Sequence, residues 1–391
     1  MTTFKHLIGQ VKASVREVSV AQARALAEAG AAVVDVREAD DWQAGHVAGA
    51  VHIPRGFLEL RIEERVPDRG RAVVLYCAGG TRSALAARSL HELGYPEAVS
   101  LAGGFGRWQE AGAPVVVPRV LSAEQSERYS RHLRVPEVGE AGQARLLEAR
   151  VLLLGAGGLG SPAGLYLAAA GVGTLGIADF DRVELSNLQR QVLHSSARVG
   201  VLKTESAEAT IRALNPDVHV VRHDLRLDAT NAMDVIAPYE VILDGCDNFA
   251  TKYLVNDAAV LQKKTLVYGS IFRFDGQASV FAPGGPCYRC LFPEPTPPEL
   301  APSCDEAGVL GVLPGVVGLI QATETLKLLL GKGRTLLGRL LTYDALELRF
   351  REHRVRRDPG CAVCGERPTI RQPADLAWSC HFEPDAVAAR A

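Results

Sequence analysis

One cysteine stands where a strand pattern runs into a glycine-rich turn. The run RAVVLYC ends at Cys77, and AGGTRS follows it before a helical pattern. A thiol at this junction faces the backbone N–H groups of Ala78 to Arg82 and the positive end of a helix. Together with the guanidinium of Arg82, these groups are expected to lower the thiol pKa and to favour a reactive thiolate. A chemically inert core residue is the alternative for Cys77.

A second glycine-rich turn carries the spacing of a nucleotide-binding loop. VLLLGAGGLGSP places Gly155, Gly157 and Gly160 in the order G-X-G-X-X-G, with Gly158 among them, ahead of a helical pattern. Such a loop lets a phosphate group lie on the helix N-terminus. Asp179 follows the next strand pattern, 19 residues after Gly160, where an acidic side chain accepts hydrogen bonds from ribose hydroxyls. Taken alone, this pattern is also that of an NAD-dependent oxidoreductase.

The charged and amide residues after this loop favour a triphosphate over a dinucleotide. Two cations, two amides and a carboxylate follow it, at Asn187, Arg190, Gln191, Lys203 and Asp247. Arg190 and Lys203 are suited to neutralising phosphate charge, and Asp247 is suited to holding Mg²⁺. A hydride-transfer site needs no such charge, although each residue taken singly is also typical of a solvated surface. The sequence contains no G-X-X-X-X-G-K-[ST] motif, so ATP would bind without a P-loop.

Four of the eight cysteines form two Cys-X-X-Cys pairs that lie far apart in the sequence. Cys287 and Cys290 make the first pair, and Cys361 and Cys364 make the second. Each pair is predicted to form a hairpin knuckle, and four thiolates together suit a closed, structural Zn²⁺ site. Two redox-active dithiols are the alternative, which the reducing compartment predicted below disfavours.

Two α/β domains are needed to position these residues. Strand patterns such as AAVVDV, RAVVLYC and VLLLGA alternate with helical patterns through most of the chain, as in parallel α/β folds. Between the two domains, Ser122 and Gln125 have the spacing of a capping box at a helix start. The predicted bounds are 15–117 for a small parallel α/β domain, 118–127 for a linker, 128–366 for a larger α/β domain and 367–391 for a loosely held tail.

The composition is that of a folded, water-soluble chain. Of the 391 residues, 47% are hydrophobic and 23% are charged, and the net charge is −2. This charge gives no field that attracts nucleic acid or an anionic membrane, and the absence of a signal-peptide pattern predicts a cytoplasmic location. The uncharged run Val151–Ala178 has the length of a membrane span, but its eight glycines and Pro162 favour a strand, a loop and a buried helix.

Four segments of the first domain occur in a characteristic order. They are DVRE at 35–38, GHVAGAVHIP at 45–54, CAGGTRS at 77–83 and LAGGFGRWQEAGAPV at 101–115. The domain resembles the rhodanese, or sulfurtransferase, family, which implies that Cys77 carries a persulfide and that Asp35, Arg37 and His46 shape the fold. Phosphatases use a similar cradle with five residues between cysteine and arginine. Four residues separate Cys77 from Arg82, and this tighter ring suits a sulfur atom rather than a phosphate.

Eight motifs occur together in the second domain. They are RYSRH at 128–132, GAGGLGSP at 155–162, DFDRVELSNLQRQ at 179–191, GVLKTESA at 200–207, CDN at 246–248, CYRCLFPEP at 287–295, SCDEAGVLGVLPGVVG at 303–318 and CAVC at 361–364. The domain resembles the adenylating enzymes that activate ubiquitin-like sulfur-carrier proteins, the family of MoeB and ThiF. This resemblance implies a Rossmann-like fold of the ubiquitin-activating type. It also implies a homodimer in which Arg131 reaches the phosphates of ATP on the partner subunit.

Three cysteines, Cys246, Cys304 and Cys380, lie outside the Cys77 loop and the two Cys-X-X-Cys pairs. In relatives, the cysteine that corresponds to Cys304 forms a thioester or an acyl disulfide in some cases and is dispensable in others. Cys304 lies ahead of the apolar, glycine-broken run VLGVLPGVVG, in a segment predicted to be a flexible crossover, and a mobile-loop thiol is the alternative. Cys246 is expected in the core, and Cys380 receives no assignment.

Together these features predict an enzyme that uses ATP, Mg²⁺ and Zn²⁺. The two resemblances imply that it adenylates the C-terminal Gly-Gly carboxylate of a ubiquitin-like sulfur-carrier protein and converts it to a thiocarboxylate with sulfur from a persulfide or thiosulfate donor. The predicted catalytic residues are Cys77, Arg82, Cys304, Arg190 and Asp247. A MoaD-like carrier is the first expectation, and ThiS-like, CysO-like and tRNA-thiolation carriers are alternatives. An NAD-dependent oxidoreductase and a non-catalytic sulfur-relay scaffold are the alternative functions.

Overall fold

The chain folds as two compact units, residues 1–120 and residues 121–391. The structure is a computed structural model, and it describes residues 3–117, 119–294 and 308–376. Each unit is a mixed α/β domain built on a sheet of its own, which confirms the predicted fold class.

Unit 1 is built on a five-stranded parallel sheet in the order β1-β6-β5-β2-β4. The unit has seven described strands, two of which, β3 and β7, form a separate antiparallel pair. The strands are β1 (Glu17–Val18), β2 (Ala32–Asp35), β3 (His46–Val47), β4 (Val51–His52), β5 (Val73–Tyr76), β6 (Ala98–Leu101) and β7 (Val115–Val116). Its helices are α1 (Phe4–Ser14), α2 (Val20–Glu28), α3 (Ala39–Gln43), α4 (Leu58–Arg65), α5 (Thr81–Glu92) and α6 (Gly104–Glu110), with a 3-10 turn at Arg55–Phe57. All residues of β2, β5 and β6 are buried, as expected where helices cover both faces of a parallel sheet.

Unit 2 contains an eight-stranded sheet. Its strands are β8 (Arg150–Leu154), β9 (Thr174–Ala178), β10 (His219–His223), β11 (Val241–Asp244), β12 (Thr265–Phe272), β13 (Asp275–Phe281), β14 (Arg339–Asp344) and β15 (Arg349–Arg354). Its described helices are α7 (Ala123–Arg128), α8 (Ser130–Leu133), α9 (Gly139–Glu148), α10 (Gly160–Ala169), α11 (Lys203–Leu214), α12 (Ala232–Ile236), α13 (Phe249–Leu261), α14 (Tyr288–Leu291) and α15 (Leu313–Leu330), with 3-10 turns at Leu185–Asn187 and Ser196–Arg198.

The order of this sheet, β10-β9-β8-β11-β12-β13-β14-β15, creates a crevice beside its central strand. The first five strands are parallel, and the chain moves from β8 outward through β9 and β10 before it returns to β11 on the other side. Ligands of open α/β sheets bind at such a reversal, outside the carboxyl ends of the strands. The last three strands pair antiparallel, an extension that the sequence patterns did not reveal in β14 and β15.

Three segments differ from the predicted domain bounds. Helix α1 packs on α5, so unit 1 begins before residue 15. Residues 123–127, predicted as linker, form part of α7, which starts with the predicted capping box between Ser122 and Gln125. The tail is not loose at its start, because Asp375 accepts a hydrogen bond from Ala229 N at 3.1 Å.

The uncharged run 151–178 folds as a strand, a loop, a helix and a strand, as the glycine content predicted. Among the described residues, α15 is a helix whose length and composition would allow it to span a membrane. It packs on α10, β12 and β13, and half of it is buried, as in a core helix of a soluble domain. Its start at Leu313, with Pro314 in the first turn, lies inside VLGVLPGVVG, where the sequence suggested an irregular segment.

A buried ion pair holds the core of unit 1 at the end of β2. Arg37 donates to both carboxylate oxygens of Asp35, with Nη2 at 2.7 Å, and also donates to the carbonyl oxygen of Gly45. The guanidinium lies 4.0 Å from the centre of the Phe105 ring, and the two charged side chains are at most 4% exposed. Breaking a buried pair of this kind leaves an uncompensated charge in the core.

Asp35→Ala should therefore lower the free energy of unfolding of unit 1 by about 3–5 kcal/mol. The measurement is urea unfolding of the full chain followed by tryptophan fluorescence, because two of its three tryptophans, Trp42 and Trp108, lie in unit 1. Glu59→Ala is the matched control, since it removes a partly exposed ion pair with Arg55 worth about 0–1 kcal/mol. Equal losses in the two variants would contradict the role given to the buried pair.

Candidate functional site

The Cys77 loop links a buried strand to a helix. Strand β5 ends at Tyr76, and α5 begins at Thr81 after Gly80 adopts a left-handed φ of 89°. The Cys77 side chain is buried, and its Sγ accepts a hydrogen bond from Gly80 N at 3.2 Å and one from Ser83 Oγ at 3.6 Å. Burial by itself raises the pKa of this thiol. Hydrogen bonds from Ser83 and from the loop N–H groups outweigh burial and bring the pKa below its ordinary value.

Arg82 does not have the place that the sequence suggested. Its guanidinium lies 3.7 Å from Glu38 and 3.6 Å from Asp41, and its side chain is 38% exposed. The donors described around Cys77 Sγ are thus the Ser83 hydroxyl and backbone N–H groups, and the Arg82 guanidinium is described only against Glu38 and Asp41.

The glycine loop of unit 2 has the tight geometry of a phosphate cradle. Gly155 follows β8 with φ at 88°, and α10 starts at Gly160. A Cβ atom at Gly160 would overlap the carbonyl oxygen of Gly155, so the strand and helix approach closely only because glycine stands there. Gly157 and Gly158 are partly exposed at the turn, where backbone N–H groups are available to an anion.

Two buried side chains hydrogen-bond to the backbone of Ala156 within this loop, one at its N–H group and one at its C=O group. Asp179 accepts from Ala156 N at 2.8 Å, and burial raises the pKa of its carboxyl group although Lys203 opposes the shift. His194 Nε2 lies 2.9 Å from the Ala156 carbonyl oxygen, and His194 Nδ1 lies 2.9 Å from Ser206 Oγ. Burial lowers the pKa of His194 to about 4, so a neutral ring donates through Nε2. The sequence patterns do not identify His194, which lies three residues after Gln191.

Asn187, Arg190 and Gln191 lie on one turn beside the loop. Asn187 O accepts hydrogen bonds from both Arg190 N and Gln191 N. Arg190 Cδ lies 3.8 Å from the point that a Cβ atom would occupy at Gly158, and Gln191 Nε2 lies 3.7 Å from the equivalent point at Gly157. Gln191 Oε1 is buried and has no hydrogen-bond partner within the described part of the chain. A buried acceptor without a donor fits a site that a polar ligand completes.

Lys203 is buried rather than solvated. Its side chain is 8% exposed, and Nζ forms an ion pair with Asp181 at 2.8 Å. It also lies near enough to Asp179 to affect the pKa of that carboxyl group. A cation held beside the loop in this way is suited to phosphate, because little water competes for its charge.

Two further residues of the predicted nucleotide site, Asp247 and Arg131, lie in different parts of unit 2. Asp247 follows the carboxyl end of β11, the strand next to β8, and its exposed carboxylate accepts from Asn248 Nδ2 at 3.3 Å. It therefore lies on the edge of the sheet where the glycine loop also begins. Arg131 is exposed on α8, whose packing partners are α7 and α9, and the contacts described for the glycine loop do not include it.

The four paired cysteines meet in one cluster. Their Sγ atoms all lie within 4.8 Å of one another, and Cys287 and Cys361 are 3.6 Å apart. Four thiolates at about 2.3 Å from Zn²⁺ are about 3.8 Å apart in a tetrahedron, so the cluster fits this ion. Cys287 is the N-cap of the one-turn helix α14 and Cys290 lies within that helix, so the first pair is not in a hairpin, whereas Cys361 and Cys364 lie in a turn after β15.

The three remaining cysteines are the predicted Cys304, the unassigned Cys380 and Cys246. Cys304 and Cys380 lie outside the described residues. Cys246 packs against a hydrophobic cluster of unit 2, in line with the expected core role, and burial raises the pKa of its thiol well above the ordinary value.

Comparison with known proteins gives two family matches. Residues 129–363 match the ThiF family, and residues 19–111 match the rhodanese-like domain. A sulfur carrier protein adenylyltransferase of Thermus thermophilus is 52% identical over 263 residues, which cover 66% of this chain and 97% of that protein. The probable adenylyltransferase/sulfurtransferase MoeZ of Mycobacterium tuberculosis is 54% identical over 281 residues, which cover 70% of each chain.

A solved structure shares the fold of unit 2. Escherichia coli MccB superposes with a TM-score of 0.56 at 22% identity, covering 65% of this chain and 76% of that chain. Together with the names of the relatives, the family matches confirm the resemblances drawn from the motifs and the predicted enzyme class. The ThiF match alone spans more than half of the sequence, and the protein therefore belongs to the ThiF family and carries a rhodanese-like domain N-terminal to its ThiF domain.

Proposed function

We propose that this enzyme adenylates the C-terminal Gly-Gly carboxylate of a ubiquitin-like sulfur-carrier protein and then installs sulfur on it. Two buried groups beside the glycine loop carry the proposal: the Lys203 ammonium and the Gln191 amide oxygen, which has no hydrogen-bond partner among the described residues. This cation can neutralise the charge of a triphosphate, whereas the hydride transfer of an NAD-dependent oxidoreductase does not require it. The relatives named as adenylyltransferases support the same choice.

In the first step, the residues of unit 2 hold ATP and the carrier tail together. The backbone N–H groups of Gly157 and Gly158 donate hydrogen bonds to phosphate oxygens, and the Asp179 carboxylate accepts hydrogen bonds from the ribose hydroxyls. Arg190 and Lys203 neutralise phosphate charge, and Mg²⁺ held by Asp247 would add to that neutralisation. The carrier carboxylate attacks the α-phosphorus, the bond to the β-phosphate oxygen breaks, and pyrophosphate leaves. Catalysis is mostly positioning and charge stabilisation.

In the second step, Cys77 supplies sulfur as a persulfide. Its thiolate takes the sulfane sulfur of thiosulfate and releases sulfite, or takes it from a persulfide donor and releases a thiol. The terminal sulfur then attacks the acyl-adenylate, and AMP leaves. A second thiol, from Cys304 or a small molecule, attacks Cys77 Sγ, which releases the thiocarboxylate and leaves a disulfide for a further thiol to reduce.

Joining the two domains in one chain favours this sequence of steps. A tether turns an encounter between proteins into an intramolecular reaction with effective concentrations around millimolar for a short flexible link. We further propose a cytoplasmic homodimer in which Arg131 contacts ATP on the partner subunit. A MoaD-like carrier is our first candidate, and mass spectrometry of each candidate carrier after incubation with ATP and thiosulfate would identify the one that gains sulfur.

Asp247→Ala should lower carrier-dependent exchange of pyrophosphate into ATP by roughly a hundredfold, because it removes the carboxylate assigned to Mg²⁺. Asp234→Ala, which changes another exposed aspartate of unit 2, should leave the exchange rate unchanged. Full exchange by Asp247→Ala would overturn the assignment of the metal ligand. Tight NAD binding without any exchange in the unmodified protein would favour the oxidoreductase.

Cys77→Ala should leave pyrophosphate exchange intact and lower the yield of carrier thiocarboxylate from thiosulfate on the order of a thousandfold or more. The reason is that the sulfur nucleophile is lost while the nucleotide site of unit 2 is untouched. Intact-mass analysis of the carrier measures the product, and exchange in the same preparation is the internal control. An unchanged thiocarboxylate yield would remove unit 1 from the reaction.

The cysteine cluster is proposed to hold a structural zinc ion. Metal analysis of the purified chain should find about one zinc per chain, and Cys361→Ser should lower this content and the thermal stability of unit 2. Cys77→Ser is the matched control, because it also changes a buried cysteine and should retain the metal. Zinc at the same level in Cys361→Ser would contradict the four-thiolate site.

A further inference from the structure

A buried chain of two hydroxyl groups ends at the Cys77 thiol. Ser83 Oγ donates to Cys77 Sγ, and Ser100 Oγ donates to Ser83 Oγ at 2.9 Å. Both serines are 0% exposed. Ser100 lies on β6, the strand that pairs with β5 just before the Cys77 loop, so it reaches the sulfur through Ser83.

The direction of these hydrogen bonds follows from the number of protons available. A hydroxyl group carries one proton and can accept hydrogen bonds through its lone pairs. The Cys77 thiolate has no proton to donate, so the Ser83 hydroxyl donates its single proton to Cys77 Sγ and accepts the hydrogen bond that Ser100 donates. The accepted hydrogen bond also polarises the Ser83 hydroxyl and strengthens the bond that it donates, an effect that is largest where water is excluded.

The position of Ser100 in the sheet gives no other reason for its hydroxyl group. Its backbone already takes part in the sheet, where Ser100 N donates to Arg16 O and the residue stands opposite Leu75 of β5. Ala98, two residues before Ser100 and therefore on the same face of β6, belongs to a buried hydrophobic cluster with Ala84 and Ala87 of α5. A hydroxyl buried among such groups is unfavourable without a partner, and Ser83 is the partner described for it.

We propose that Ser100 is a positioning residue for sulfur transfer, which holds the Ser83 hydroxyl so that its proton points at the sulfur of Cys77. The assignment rests on the proposed function of Cys77 and extends it to a strand outside the loop motif. Ser100 itself does not touch the sulfur, and its effect passes through Ser83.

The test is the pH dependence of Cys77 alkylation by iodoacetamide in the full chain, from about pH 6 to about pH 10. Trypsin releases residues 72–82 as one peptide in which Cys77 is the only cysteine, so mass spectrometry follows this thiol alone. Because the thiolate is the reacting form, the inflection of the rate marks the pKa of the thiol. Ser83→Ala should move the inflection upward by about one pH unit, and Ser100→Ala by about half a unit.

The double variant distinguishes an effect of Ser100 that passes through the Ser83 hydroxyl from an independent effect of Ser100 on packing. Ser83→Ala with Ser100→Ala should shift the inflection no further than Ser83→Ala alone, because Ser100 acts through the Ser83 hydroxyl. Ser89→Ala is the matched control, because Ser89 lies on α5 like Ser83 but its hydroxyl accepts a hydrogen bond from Arg55 and not one that reaches the thiol. It should keep the inflection of the unmodified protein.

A second pair of variants controls for any change in packing or folding that substitution of Ser100 causes. Threonine and valine have nearly the same shape and both suit a strand, but threonine alone keeps the hydroxyl group. Ser100→Thr should keep the original inflection, and Ser100→Val should show the upward shift. Additive shifts in the double variant, or equal inflections for Thr and Val, would overturn the proposal. Alkylation needs neither ATP nor a carrier, so failure here is distinguishable from failure of the proposed function.

Discussion

Both sites depend on the same constraint, the need to satisfy backbone N–H groups where a buried parallel strand turns directly into a helix. The first residues of a helix have N–H groups without a partner inside the helix, and a glycine-rich turn leaves space in front of them. In unit 1 that space holds a sulfur atom, and in unit 2 it is open to a phosphate group. One local geometry thus presents electropositive groups to two different anions.

The side chains around each turn decide which anion is favoured. Gly80 N and Ser83 Oγ converge on Cys77 Sγ, so the loop of unit 1 stabilises a charge on its own side chain. The loop of unit 2 has no such side chain, and Asp179 and His194 instead hold the N–H group and the C=O group of Ala156. Because these contacts are buried, the loop has its shape before any ligand arrives, which lowers the entropy cost of binding.

The sequence was a good guide wherever function required a particular residue type at a fixed local spacing. The glycines of the nucleotide loop, the capping box at Ser122 and the longer strands of the parallel sheets could be read from short patterns, whereas the two-residue strands β1 and β4 could not. The patterns were less informative for β14 and β15, because β15 is exposed along its whole length and has no run of buried apolar residues. The start of α15 was also obscured, since glycine and proline interrupt an otherwise helical segment.

By itself, the sequence determined the two families, the order of the domains and the residues that could do chemistry, because glycine geometry and cysteine spacing are local properties of the chain. Only the tertiary structure decided which groups meet. It brought together two cysteine pairs separated by more than seventy residues, buried Lys203 beside Asp181, and set Ser83 rather than Arg82 against the thiol. Such contacts depend on how strands pair and helices pack across the sheet, and a local pattern carries no information about that packing.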